Sequence, residues 1–230
     1  MPDFAMSDLA IPAPPQAVVP IAGGGSFPVR RIYCVGRNYA EHAREMGHDP
    51  NRELPFFFLK PADTLVTGGA PMPYPSMTKD LHHEIELVVA LKSGGTDISE
   101  ADAMGHVWGY AVGLDMTRRD LQAKAKKAGR PWDMGKGFDH SAPIGEMVPA
   151  AGITPGRIEL KVNGTVRQAS EVSKLIWSVP ETIAYLSKLV ELKAGDLIFT
   201  GTPEGVAAVQ RGDLLEGMVE SVGTVRVRLT

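Results

Sequence analysis

The sequence predicts an α+β fold with a mainly β core. Apolar, β-branched runs recur along its 230 residues: "RIYCVG", "LPFFFLKP", "EIELVVAL", "WGYAVGLD" and "GDLIFTG". Pro and Gly punctuate the gaps between them, as turns require. Helical periods are few and are not interleaved one per strand, which excludes a doubly wound parallel sheet.

The elements follow in order. Residues 1–28 are rich in Pro, Ala and Gly and read as a partly disordered arm, with a short strand around Ala17–Ile21; residues 29–230 read as the folded domain. A strand begins at Arg31. Next, "RNYAEHAREMG" has Asn38 as a helix cap, Glu41 three residues on as in a capping box, and Gly47 as a stop. "LPFFFLKP" is a second strand. A long strand runs from the Glu84–Glu86 pair to Leu91, and a helix follows near Glu100–Met104. "WGYAVGLD" is a strand, and Thr117 with Asp120 opens a helix that ends at Gly129. In "RIELKVNGTVRQ", Asn163-Gly164 between alternating runs predicts a type I′ hairpin. "SVPETIAYLSKLVEL" is an amphipathic helix, "GDLIFTG" a strand, and "MVESVGTVRVRLT" a terminal strand.

Bulk properties narrow the function. The formal net charge is −3, and "KAKKAGR" is the single basic cluster that stands out, so no nucleic-acid or anionic-membrane partner is expected. No apolar stretch approaches the ~20 residues that span a bilayer. The N-terminus lacks a basic start followed by an apolar run, and the one cysteine, Cys34, rules out an internal disulfide and suits a reducing cytoplasm. There is no GxGxxG and no P-loop.

Chemistry could gather at six places. Glu84 and Glu86 fall on one face of their strand, because a strand alternates with period two. Side-by-side carboxylates are either solvated or bridged by a divalent cation. Asp115 ends a strand, where it either caps the next helix or joins a site. Three carboxylates without paired His or Cys would be a hard, oxygen-rich set, suited to Mg²⁺, Mn²⁺ or Ca²⁺. His42 and Glu45 share a helix face at i, i+3, as a surface pair or as an imidazole with its orienting carboxylate. Lys136 lies in the Gly-flanked "WDMGKGFD"; Arg119 and Gln122 sit three apart on the helix after Asp115. "TGTPEGV" offers backbone N–H groups and the Thr202 hydroxyl to an anion.

Taken in order, "YCVGRNYAEHAREMG", "FLKP", "HHEIELVV", "GYAVGLDMTRRDLQ", "RPWDMGKGFDHSAPIG", "KVNGTVRQ" and "GDLIFTGTPEGV" resemble the signatures of the fumarylacetoacetate hydrolase family, from about Arg30 to the C-terminus. The resemblance implies a mixed β-sandwich roll with a short lid helix, a homodimer, and one divalent metal per subunit. It implies Glu84, Glu86 and Asp115 as ligands, with Mg²⁺ the first choice of ion and Mn²⁺ or Ca²⁺ the alternatives. His42 and Glu45 become the water-activating pair. Lys136 contacts substrate oxygens, while Arg119, Gln122, Thr202 and Lys60 face substrate. The implied activity is hydrolysis of a C–C bond in a 2,4-dioxo acid, here 3-fumarylpyruvate from gentisate breakdown. Rival readings on the same scaffold are an acylpyruvase or oxaloacetate decarboxylase and a 2-oxo acid isomerase or hydratase. A metal-stabilised binding module is disfavoured by the lid, the ligands and Lys136 occurring together.

Overall fold

Every residue of the strand Ile85–Leu91 is buried, so both of its faces need apolar cover. The computed structural model, which describes residues 9–41 and 53–230, shows where that cover comes from. Ile85, Leu87, Val89 and Leu91 point into one cluster with Val112, Leu114, Ile158 and Leu215. Val88 and Ala90 point the other way, against Cys34, Ala111, Leu197 and Phe199.

This strand lies inside a six-stranded mixed sheet ordered Val148–Pro149, Val107–Leu114, Ile85–Leu91, Asp196–Phe199, Arg31–Gly36, Phe56–Lys60. Within it, Asp196–Phe199 and Arg31–Gly36 pair in parallel. A second, antiparallel sheet of four strands (Thr165–Glu171, Arg157–Val162, Leu214–Val219, Gly223–Arg228) supplies the apolar cover for the first face. A small ribbon of Ala208–Val209, Leu81–His82 and Thr117–Arg118 closes one end of the site strands. The architecture is the expected α+β class with a mainly β core, built of mixed sheets and no barrel.

Local chemistry explains most elements. Asn163 and Gly164 both have positive φ, 51° and 78°, as a type I′ turn demands. The helix Val179–Leu189 opens with a capping box between Ser178 and Glu181. Within the arm, Val18–Pro20 pairs with Ser26–Pro28 and sinks Val19 and Phe27 into the second cluster.

Two expectations need correction. The C-terminal run is a hairpin, Leu214–Val219 with Gly223–Arg228, because Ser221 at φ 65° reverses the chain. Thr117 does not cap a helix: it lies in a ribbon strand, its hydroxyl donates to the Asp115 carbonyl, and the helix is Arg119–Lys127. Lys136 ends a one-turn helix, Asp133–Lys136.

Gly113 faces Glu86 across the ladder, and a Cβ there would lie 2.6 Å from the Phe199 ring and 2.7 Å from a Val88 methyl. Overpacking of this kind costs about 1–3 kcal/mol. Gly113→Ala is therefore expected to lower the unfolding free energy by that amount, read as a lower urea midpoint at unchanged m; an unmoved midpoint would contradict the packing described.

Candidate active site

Two neighbouring strand ends create the site. Ile85 pairs with Leu114, Glu86 with Gly113, and the Asp115 N–H donates to the Glu84 carbonyl at 2.8 Å. Glu84 and Asp115 are thereby held opposite each other, with Glu86 on the same side as Glu84. Carboxylate oxygens of all three lie within 4.8 Å of one another, and all three residues are buried. At an effective dielectric of about 20, each like-charge pair at that range costs about 3 kcal/mol.

Cations from elsewhere offset this. The Lys136 ammonium donates to Glu84 Oε2 at 2.7 Å and to Asp115 Oδ2 at 2.6 Å. Lys60 Nζ lies 2.8 Å from Asp115 Oδ1, and the Arg119 guanidinium bonds Glu84 Oε1. Burial works against the Lys136 charge, but Asp115 and Glu84 outweigh it and hold the ammonium above its ordinary pKa. Among the described residues no cation pairs with Glu86; it accepts the Gly201 N–H at 2.7 Å. Its carboxyl is pushed well up, first by burial and then by Asp115 and Glu84.

A cavity opens onto this cluster. The structure brings Glu84, Glu86, Asp115, Lys136, Arg119, Gln122 and Thr202 to its wall. Arg119 Nη1 donates to Gln122 Oε1 at 2.7 Å, and its Nε reaches His82 Nδ1 at 3.4 Å. Lys60 is placed differently from the substrate-facing position expected of it. It is fully buried behind Asp115, where its ammonium also donates to the Met116 carbonyl at 3.2 Å and to the Lys136 carbonyl. It fixes the ligand strand and the Lys136 turn together. The anion expected at "TGTPEGV" is met within the chain: the Gly201 N–H is spent on Glu86. His42 and Glu45 lie outside the described residues.

Four further residues at the site were not read in these roles from the sequence. Gln168 Oε1 accepts the Ile85 N–H at 3.1 Å and bonds His83 Nδ1 at 2.9 Å, while its Nε2 donates to Thr202 Oγ1 and the Pro203 carbonyl, both at 2.8 Å. A buried Gln in the otherwise polar run "TVRQAS" was the available signal. The Asn38 carboxamide, expected to cap a helix, is taken up by the Thr200 carbonyl at 2.8 Å and by both backbone groups of Trp177. Arg37 and Lys126 also line the cavity and add positive charge to it.

The donor set is all oxygen, anionic and crowded, which fits a hard divalent cation and does not suit a thiolate-seeking metal. Glu84, Glu86 and Asp115 would hold it.

Comparisons with known proteins agree with this geometry. The family described as "Fumarylacetoacetate (FAA) hydrolase C-terminal" matches residues 31–230. The crystal structure of fumarylpyruvate hydrolase from Pseudomonas aeruginosa, in complex with Mn²⁺ and pyruvate, is 52% identical with a TM-score of 0.94, covering 97% of this chain and 99% of that one. A fumarylpyruvate hydrolase of Ralstonia sp. is 48% identical over 179 residues, 77% of this chain and 93% of the relative. A mitochondrial oxaloacetate tautomerase of Rattus norvegicus is 44% identical over 203 residues, 87% of this chain and 91% of the relative.

Glu86→Gln separates the cost of the cluster from its use. A carboxylate whose folded pKa is raised weakens the fold once pH exceeds its unfolded value near 4.3. The amide oxygen can still accept the Gly201 N–H. In EDTA at pH 7, Glu86→Gln should melt a few degrees above the parent. With excess Mn²⁺ the parent should gain stability and the variant little, reversing the order. Parallel shifts in both conditions would contradict the cluster's assignment.

Proposed function

The chain belongs to the fumarylacetoacetate hydrolase family, and from that premise we propose that it is a divalent-metal-dependent hydrolase that splits 3-fumarylpyruvate into fumarate and pyruvate. The observation that carries the reading is the buried Glu84–Glu86–Asp115 cluster on a cavity wall shared with Lys136 and Arg119. The identity to a structure named for this activity, with Mn²⁺ and pyruvate bound, supports the same choice.

A divalent ion held by the three carboxylates supplies Lewis acidity at the pyruvoyl end of the substrate. The chain's own residues do the rest. Lys136 and Arg119 bring fixed positive charge and N–H donors to the oxygens on which negative charge builds. His42, oriented by Glu45, takes a proton from water. The water oxygen adds to C4, and the C3–C4 bond breaks with its electron pair passing to the pyruvoyl fragment. C3 then gains a proton, so the water oxygen leaves in fumarate and a proton ends on pyruvate. Lys60 acts on Asp115 and on the Lys136 turn rather than on substrate, a positioning role that its burial supports.

Further parts of the proposal rest on the family resemblance: Mg²⁺ as the working ion, a homodimer, and service in gentisate breakdown. A cytoplasmic site is proposed from the lone, buried thiol of Cys34. Residues 29–230 are proposed as the catalytic unit. Oxaloacetate is the second substrate to test, because the rat relative is named for its tautomerisation.

Pyruvate release from fumarylpyruvate, acetylpyruvate and oxaloacetate should be followed side by side, together with the enol-to-keto conversion of oxaloacetate. Fumarylpyruvate is expected to turn over fastest, activity to vanish in EDTA, and Mn²⁺ or Mg²⁺ to restore it. Turnover surviving full metal removal, or oxaloacetate as the preferred substrate, would overturn the reading. His42→Ala should keep metal-induced stabilisation and lose roughly 10²–10⁴-fold in kcat.

A further inference from the structure

Past the carboxylate cluster, the cavity wall is aromatic and ends in two more cations. Lys136 Nζ sits 5.0 Å from the Phe58 ring centre, and Phe58 lies 5.9 Å from Trp132. Trp132 meets Phe56 edge-on at 5.3 Å. Lys126 Nζ rides 4.8 Å over Trp132, and the Arg37 guanidinium 5.4 Å over Phe56. The rings therefore separate Lys136 from Lys126 and Arg37 while placing all of them on one cavity.

Among the described residues these two cations are weakly answered by anions. Among the described residues Lys126 makes no ion pair, and its charge is contested: burial, then Arg119, Arg37 and Lys136, push its pKa down to about 8. Arg37 faces Glu53 at 3.9 Å, and that glutamate side chain is 70% exposed, too loose a contact to neutralise it. The Arg37 backbone is held at φ 58°, an uncommon region for a non-Gly residue. Gly36 beside it lets the Phe56 ring lie where a Cβ would come within 2.0 Å.

We infer that Arg37 and Lys126 form a second anion subsite, which binds the carboxylate at the far end of the acyl chain and selects dicarboxylic over monocarboxylic 2,4-dioxo acids. The inference rests on the hydrolase reading. The pyruvoyl end lies at the carboxylate cluster and Lys136. The planar, unsaturated acyl chain runs along Phe58, Trp132 and Phe56. Its terminal carboxylate supplies a close anion, which neither cation has among the described residues. A substrate ending in methyl supplies none, and sites built for a polar group discriminate strongly against analogues without it.

The test is the ratio of kcat/KM for fumarylpyruvate over acetylpyruvate, in Mn²⁺-loaded parent, Lys126→Met, Arg37→Met and the double variant. Each single variant should lower the ratio at least ~10-fold and the double ~100-fold, the range of a charge-assisted hydrogen bond. Lys126→Arg, which keeps the charge, should hold the ratio near the parent's. A ratio unchanged within two-fold in the double variant would overturn the subsite. If the parent cleaves neither compound, the hydrolase reading fails, and calorimetry with fumarate on the Mn²⁺-loaded protein decides the subsite alone. Fumarate binding weakened ~10-fold or more by Lys126→Met upholds it; equal binding overturns it.

Discussion

Three carboxylates buried within 4.8 Å of one another are the constraint around which the molecule is arranged. Left alone they repel, and burial makes each charge costly. Lys60, Lys136 and Arg119 answer Asp115 and Glu84, each from a different segment of the chain. Among the described residues Glu86 has one N–H donor, the Gly201 backbone, and no cation of its own. The balance is uneven by design of the fold: the carboxylate with the weakest internal partner is the one for which an added cation is most favourable. Stability has been given up at this point, and a bound ion is what recovers it.

The surrounding fold exists to hold that unfavourable arrangement still. The central strand is buried on both faces, so its register cannot slip without exposing an entire apolar row. Asn38 and Gln168 then tie the loops to the strand ends: Asn38 links the end of Arg31–Gly36 to Thr200, and Gln168 links Ile85 to Thr202 and Pro203. Lys60 adds a third tie by joining Asp115 to the Lys136 turn. Each tie is a buried polar group with its partners satisfied, which is the condition under which such groups rigidify rather than weaken a core.

Much of this was readable in the sequence, and the misses have physical causes. The strands were plain because β-branched runs between Pro and Gly have few other options, and Asn163-Gly164 named its own turn. The face shared by Glu84 and Glu86 followed from period two alone. Boundaries that depend on tertiary partners were misread. Thr117-x-x-Asp120 has the spacing of a helix start, yet Thr117 pairs with His82 in a ribbon that no local signal announces. The last strand was two, since Ser221 in a left-handed turn carries no glycine to mark it. Lys60 was misplaced because a lysine's burial is set by what closes over it. The roles of Asn38 and Gln168 were hidden for the same reason: their partners lie over a hundred and over eighty residues away in sequence.

Anomalous scattering from a crystal grown with Mn²⁺ tests the central claim most directly. One manganese peak per chain, within coordination distance of Glu84, Glu86 and Asp115 oxygens together, is the result the account predicts. A cluster still spanned only by the Lys136 ammonium, with manganese bound elsewhere or not at all, would contradict it.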